Sequence, residues 1–440
     1  MRRWVKRIVL GALALLLVVG VAGYIYARPL LLTGTGYASH SACAMHAFAD
    51  AGPDLPPNPL VPYLRTTAGQ EGASSTVLGL LAKQRSWFTP GFGCTLARTA
   101  PEFGQPAPVA PNALTSTPAP TMEPEVAEAL ARAFGDDLDA DGRRRLGTRG
   151  VVVLHAGELV GERYAEGFSA ATPQLGWSMA KSVTNLLTGR LVKQSLVDVD
   201  TTGLRKEWTD ERASISIDDL MRMTSGLTWD ETYDLGTPIT RMLYLEPDMA
   251  GYVAGLELAH PVGEYQQYSS GSTTLLCQVL ADRSRYGEDL PRRELFAPLG
   301  LSSAVWEPDA VGTPVCSSYL WATPRDWASI GQFALQDGVW EGERHLPEGW
   351  MSTSTQVKPV AETDEVGYAA GWRVNRLADG TISEPELPDD AYWAVGHDGQ
   401  RMYVVPSADL VVVRLGFSPG VPGGELRTEA LVADLVSALG

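Results

Sequence analysis

Ser178-Met179-Ala180-Lys181 places a hydroxyl and an amine three residues apart. Val183, Leu186, Leu187 and Leu191 follow with the spacing of one helix face, so Ser178 is expected at a helix N-terminus with Lys181 on the same side. A serine attacks a carbonyl when a base takes its proton, and a lysine whose ammonium form is disfavoured by burial can be that base. The free N–H groups and the dipole of a helix N-terminus favour the negative charge that such an attack develops. The bland alternative is a serine that caps the helix beside a solvated lysine. S-x-x-K tetrads arise often by chance in a chain of this length, so the tetrad alone does not separate the two readings.

Other residues add to it. Trp177 and the apolar run after Ser178 point to a buried helix, where a lysine is costly unless paired or neutral. Tyr268-Ser269-Ser270-Gly271 follows the turn Pro261-Val262-Gly263-Glu264 and precedes the apolar helix Leu275–Ala281, so Tyr268 and Ser270 can enter one cleft from a loop. Gly396-His397-Asp398-Gly399-Gln400 lies between two strand-like runs, and its glycines let a substrate approach the backbone. Trp229-Asp230-Glu231 either lines the same cleft or merely connects helices. His40, His46, His155, His260 and His345 show no metal-ligand spacing; surface or loop roles suffice for them, and no metal or cofactor is called for.

These groups need a frame. Arg2, Arg3, Lys6 and Arg7 precede a charge-free stretch from Ile8 to Ala27, long enough as a helix to cross a bilayer with the basic end in the cytoplasm. The rival is a signal peptide cut after Gly20-Val21-Ala22, although apolar residues continue through Tyr26. Either way the chain is exported and its cysteines can pair. Cys43 with Cys94 is the first choice; Cys277 and Cys316 pair with each other or are buried thiols. Residues 28 to about 100 are rich in Gly, Pro, Ala and Ser with few periodic apolar patterns, and Pro101–Pro124 reads as an extended spacer or a segment laid over a domain.

Regular structure is expected from Glu125, with Val126, Leu130, Ala131 and Phe134 at helical spacing. Val151–Leu154 and Gly161–Tyr164 flank His155-Ala156-Gly157-Glu158 and read as a hairpin, and a largely helical middle runs from Ser178 to about Ala334. Strands return at Gly371–Val374, Tyr392–Val395, Met402–Val405 and Leu410–Val413, before a last helix from about Gly424 to Leu439. Strands at both ends with helices between them give an α+β domain whose sheet is assembled from the two termini. With 52 acidic against 35 basic residues the net charge is −17, and no basic block follows the first seven residues, which excludes nucleic-acid binding.

Taken together, Ser178–Lys181, Tyr268–Ser270 and His397–Gly399 resemble, in order and spacing, the S-x-x-K, Y-x-N and K-T-G signatures of the serine β-lactamase and penicillin-binding protein superfamily. The phrases from Ile217 to Leu227, Pro298 to Leu301 and Ala322 to Ala328 are similar to family members as well. The resemblance covers residues 122–440 and implies an antiparallel sheet covered by helices plus an all-helical subdomain, with the site between them. It leaves residues 1–27 as an anchor or signal peptide and 28–121 as an extracytoplasmic Pro/Gly-rich segment.

Carried over residue by residue, it implies Ser178 as nucleophile, Lys181 as proton acceptor and Tyr268 as proton shuttle, its phenolate stabilised by the ammonium. The backbone N–H groups of Ser178 and Gln400 form the oxyanion hole, with Ser270, His397 and Gly399 against the substrate. Ser270 replaces the usual asparagine and His397 the usual lysine, which tells against efficient β-lactam hydrolysis. Tyr268-Ser269-Ser270 and Ser225–Glu231 look more like the 6-aminohexanoate-dimer hydrolase branch and related esterases, which cleave small-molecule amides and esters. The alternatives are a membrane-anchored penicillin-binding sensor that acylates slowly, a degenerate homologue, and an α/β-hydrolase, for which the strand that should precede Gly176-Trp177-Ser178 is missing.

Overall fold

The computed structural model describes residues 2–440. Helix α1 spans Arg2–Ala49 and does not stop where its apolar stretch does. From Trp4 to Tyr26 its apolar side chains are exposed, and the stretch is long and apolar enough to cross a membrane. Pro29 cannot donate to the carbonyl one turn earlier, yet the helix continues through it. Beyond it, Thr33, Thr35, Ala38, Ser39 and Ala42 are buried. Small side chains let α1 lie close on an antiparallel sheet, β1 (Leu64–Gly69), β2 (Gly72–Val77), β3 (Leu81–Thr89) and β4 (Gly93–Leu96), in that order across the sheet.

Most of residues 28–100 is therefore regular structure, helix to Ala49 and strands from Leu64 to Leu96, a correction to their reading as a segment with few periodic patterns. Their alternation is written in hydroxyls and alanines: Ala73, Ser75 and Val77 are the buried face of β2, and Thr66 pairs with Ser75 at 2.9 Å. The Cys43–Cys94 disulfide fastens α1 to β4.

This N-terminal module is locked to the rest through Glu307, which is fully buried. Its carboxylate accepts from the Cys94 N–H at 2.7 Å and from Trp321 Nε1 at 3.1 Å, and pairs with His40 Nε2 at 2.8 Å. His40 is thus a buried anchor rather than a surface residue, and His345 is buried too. The Pro-rich run is laid over the domain: the Ala107 N–H donates to Asp289, and Asn112 donates to the Leu299 carbonyl.

Next come α2 (Pro124–Ala133) and the expected hairpin, β5 (Thr148–His155) and β6 (Glu158–Tyr164), whose turn is only Ala156-Gly157 because His155 and Glu158 pair within the strands. Helix α3 (Met179–Lys193) leads into a helical region of α4 (Ile217–Arg222), α5 (Pro238–Leu245), α6 (Met249–Ala254) and α7 (Ser270–Ser284). After α8 (Pro324–Leu335) come β7 (Arg373–Val374), β8 (Tyr392–Gly396), β9 (Gln400–Val405) and β10 (Leu410–Gly416), and α9 (Thr428–Leu439) closes the chain. Helix α9 begins four residues later than the sequence pattern indicates, and β7 keeps only the last two residues of its run.

The six-stranded sheet has the order β7-β8-β9-β10-β5-β6, antiparallel throughout, so the two ends of the domain meet where β10 pairs with β5. Its central strands are apolar on both faces because both are covered. Val152, Leu154, Val411 and Val413 face the core under α3 and α8, whereas Val151, Val153, Val412 and Tyr403 face α2 and α9.

Candidate active site

The turn into α3 carries the nucleophile candidate. Gln174–Leu175 forms a two-residue strand that pairs with Leu320–Ala322, outside the main sheet, so the strand required by an α/β-hydrolase elbow is absent there. Trp177 then adopts φ +49°, a conformation unusual for a side-chain-bearing residue. Ser178 occupies the N-cap position of α3, but its side chain makes no capping hydrogen bond. Its hydroxyl instead accepts from Lys181 Nζ at 2.9 Å. The capping reading of the tetrad fails, and so does the solvated lysine, since Lys181 is only 2% exposed.

Lys181 Nζ also donates to Ser270 Oγ at 2.9 Å and to the Ser317 carbonyl at 3.1 Å. Ser270 is the first residue of α7, so the helix starts five residues before its apolar run, and Ser269 caps it. The Ser270 hydroxyl in turn donates a hydrogen bond to Glu231 Oε1 at 2.5 Å, and Glu231 Oε2 accepts from the Ser270 N–H and Trp229 Nε1. A chain Ser178–Lys181–Ser270–Glu231 results. Burial pushes the Lys181 ammonium down to about 8, with Glu231 and then Glu365 opposing it. The Cys277–Cys316 disulfide ties α7 to the segment that supplies the Ser317 carbonyl.

Tyr268 presents its ring to Lys181, with Nζ 4.7 Å from the ring centroid. Burial raises its hydroxyl well above the ordinary tyrosine value, Glu231 adds to that, and Ser178 opposes it. It therefore rests as a phenol.

The turn between β8 and β9 closes the other side. A Cβ on Gly396 would sit 2.1 Å from the Gly176 carbonyl oxygen, so only glycine lets β8 run against the nucleophile turn. His397 lies edge-on to Trp177, with ring centroids 5.8 Å apart, and 4.6 Å from Tyr233. Its Nδ1 is 3.0 Å from Asp398 Oδ1, off the line of a hydrogen bond.

Gly399 and Gln400 contribute no side chain to the site. Gly399 has φ +90° and is packed on Arg414, and the Gln400 amide is bound to both backbone groups of Gly416. Only their backbone is left for substrate.

Sequence reasoning underweighted Glu231, for which no rule of spacing predicts a bond to Ser270. It missed Tyr233, Tyr37, Tyr368 and Arg373. Tyr37 comes from α1 and stacks on Trp177 at 6.4 Å. Tyr368 meets Tyr268 edge-on, and Arg373 pairs with Glu365 at 2.5 Å. Residues this far apart in sequence are joined only by the fold. Among the described residues no cluster of His, Cys, Asp and Glu is arranged to hold a metal.

The fold has solved counterparts. A Bacillus anthracis protein assigned as a 6-aminohexanoate-dimer hydrolase superposes with a TM-score of 0.61 at 21% identity, covering 75% of this chain and 90% of its own. A penicillin-binding protein homologue from Caulobacter crescentus gives 0.55 at 15% identity over 73% and 99%. A β-lactamase/D-alanine carboxypeptidase from Yersinia pestis gives 0.53 at 17% over 70% and 99%. In sequence, the 6-aminohexanoate-dimer hydrolase of Paenarthrobacter ureafaciens is 25% identical over 300 residues, 62% of this chain and 73% of that protein. The profile of the Beta-lactamase family matches residues 119–435. An S-x-x-K serine bonded to a buried lysine, in that fold and under that profile, makes the chain a serine hydrolase that belongs to the Beta-lactamase family.

Proposed function

We propose that the chain is a membrane-anchored, extracytoplasmic hydrolase that cleaves a small-molecule amide or ester through an acyl-enzyme on Ser178. The 2.9 Å bond from Lys181 Nζ to Ser178 Oγ carries this reading, because a lysine lowered to about 8 is neutral often enough to take the serine proton. Ser178 Oγ attacks the carbonyl carbon as Lys181 accepts its proton. The backbone N–H groups of Ser178 and Gln400 receive the oxyanion. Tyr268, resting as a phenol, gives its proton to the departing nitrogen or oxygen and is reprotonated from Lys181. Water then releases the acyl group by the reverse sequence of proton transfers. Ser270 orients Lys181 rather than gripping substrate, and His397 with Tyr233 and Trp177 forms a wall for the acyl or leaving group.

The name of the Paenarthrobacter relative favours linear amides between small units, and Ser270 and His397 at the asparagine and lysine positions argue against efficient β-lactam turnover. Anchoring is supported by the exposed apolar half of α1 and its basic start. Two disulfides support an oxidising compartment. Gly20-Val21-Ala22 lies within continuous helix, a poor form for a processing protease.

The test is intact-mass spectrometry after exposure to a fluorophosphonate, a p-nitrophenyl ester and a penicillin, on the wild type and on Ser178→Ala. A single adduct lost in the variant, with ester turnover abolished in Ser178→Ala and Lys181→Ala, is expected. A lasting penicilloyl adduct without ester turnover would replace this reading with a slowly acylating sensor, and no adduct from any reagent would replace it with a degenerate homologue.

A further inference from the structure

We propose that the tip of the β2–β3 hairpin, Leu78-Gly79-Leu80, enters the lipid interface beside α1 and gives the protein a second membrane contact. The proposal rests on the reading of α1 as an anchor. Strand β3 runs alongside the buried half of α1. Ser86 Oγ meets Ser39 Oγ at 3.3 Å, the Ala82 carbonyl accepts from Thr35 at 2.7 Å, and the Ala82 N–H donates to the Tyr24 hydroxyl at 3.1 Å. Tyr24 belongs to the apolar half of the helix, so the hairpin already overlaps the span.

The level of its tip follows from geometry. The six steps from Ser86 back along β3 to Leu80, the turn residue just before it, cover up to roughly 20 Å, which is about 13 residues of helix. Leu80 therefore lies at the height of Tyr26, where the exposed apolar surface of α1 ends.

The chemistry of the tip fits that height. Leu78 is 61% exposed and Leu80 81%, beside Tyr63 at 54% and Tyr26 at 85%. The Leu78 N–H donates to the Tyr63 carbonyl, so these side chains share one edge. Leu78 and Gly79 are the central residues of a turn closed from Leu80 N–H to the Val77 carbonyl, with φ +53° and +80°. Asparagine or glycine suits the first of these positions, and a leucine there costs about 1–2 kcal/mol. A soluble turn has no use for that cost. An apolar tip in a bilayer recovers it, since each buried CH₂ gains about 0.8 kcal/mol. Arg28, Arg65 and Lys83 are exposed around this edge, at the depth where cations meet lipid phosphates. Two contacts, a span and a hairpin tip, would hold the catalytic domain at one orientation to the membrane.

All four native cysteines are in disulfides, so an introduced cysteine is the sole free thiol. The full-length protein in phosphatidylglycerol-containing nanodiscs is labelled with an environment-sensitive fluorophore at Leu80→Cys, at Leu16→Cys within the span, and at Glu166→Cys. Glu166 is exposed and follows Ala165, which is bonded to Arg149 and so lies near its partner Asp54, past the far end of α1. Quenching by doxyl-labelled lipid at Leu80→Cys should reach at least half of that at Leu16→Cys and exceed that at Glu166→Cys several-fold. Quenching at Leu16→Cys with none at Leu80→Cys overturns the hairpin contact and leaves the anchor standing. Loss of quenching at both overturns the anchor itself. Blue-shifted emission at Leu80→Cys without lipid quenching identifies a second copy of the chain as the occupant and also overturns the proposal.

Discussion

If Lys181 is the base, the rate must follow its deprotonation, and Glu231 must set the pH at which that occurs. With Lys181 near 8, about one tenth of it is neutral at pH 7, so kcat/KM for an ester should rise with pH and level off above 8. Glu231 lies two hydrogen bonds from Nζ, through Ser270. A unit charge roughly 5 Å away at an effective dielectric near 20 is worth about 3 kcal/mol, which corresponds to about 2 in pKa. Glu231 is only half-buried, so solvent weakens this. Glu231→Gln keeps an oxygen for the Ser270 N–H and Trp229 Nε1 and removes the charge, while its N–H₂ turns to Ser270 Oγ, which then accepts where it had donated.

The sign follows directly. The carboxylate favours the ammonium, so its removal lowers the Lys181 pKa and moves the acidic limb of the pH–rate profile to lower pH, by about 1–2. At pH 6 the variant should lose less activity relative to its own plateau than the wild type does. The assay is kcat/KM for a p-nitrophenyl ester from pH 5.5 to 10, with circular dichroism to verify the fold. A limb that stays in place, or moves upward, would refute Lys181 as the titrating base, because no other role for Glu231 reverses that direction.

Further outcomes follow from other contacts. Gly396→Ala should lower kcat/KM at least tenfold without unfolding, because the added methyl must push β8 away from the Gly176 carbonyl. Ser270→Asn should abolish ester hydrolysis rather than confer penicillin hydrolysis, read as nitrocefin and ester rates side by side; the site is fully buried and already bonded on both sides. Glu307→Ala leaves three buried donors without their acceptor and should cost about 3–5 kcal/mol, a fall in Tm of about 3–6 °C by calorimetry. Replacing Cys277 and Cys316 together by serine removes a 39-residue closure worth about 4 kcal/mol, and should cut activity as well as Tm because it frees the segment bearing the Ser317 carbonyl.

What could be read from sequence was whatever local periodicity encodes. Val183, Leu186, Leu187 and Leu191 repeat at helix spacing and bury one face of α3, which put Ser178 and Lys181 in register. The β5–β6 hairpin and the three C-terminal strands were legible as apolar runs because both faces of their sheet are covered. The N-terminal module was not legible, because its packing surface is made of Thr, Ser, Gly and Ala. In a window average, those residues look the same on a strand as in a loop. The partners of Glu231 and Arg373 were hidden: a carboxylate in a connecting segment, or a guanidinium on a short edge strand, carries no mark of which buried hydroxyl or acid the chain will bring to it.

The module outside the family-matched region nonetheless packs against the nucleophile turn. An apolar cavity of about 80 Å³ beside His397 is walled on one side by Trp177, Tyr233 and Leu235 and on the other by Thr33, Leu55 and Leu60. Tyr37 holds the two walls together by stacking on Trp177, the residue that immediately precedes Ser178. The same helix that carries the exposed apolar span thus contributes a side of a chamber lined by Trp177 and His397. The buried His40–Glu307 pair sits one turn beyond Tyr37 and fixes that contact in place. A change in the size of the group accepted beside His397 can therefore arise from residues 33–60, which family motifs do not describe. Loosening the Glu307 network should reach the nucleophile turn through Tyr37 without touching any residue of the S-x-x-K tetrad.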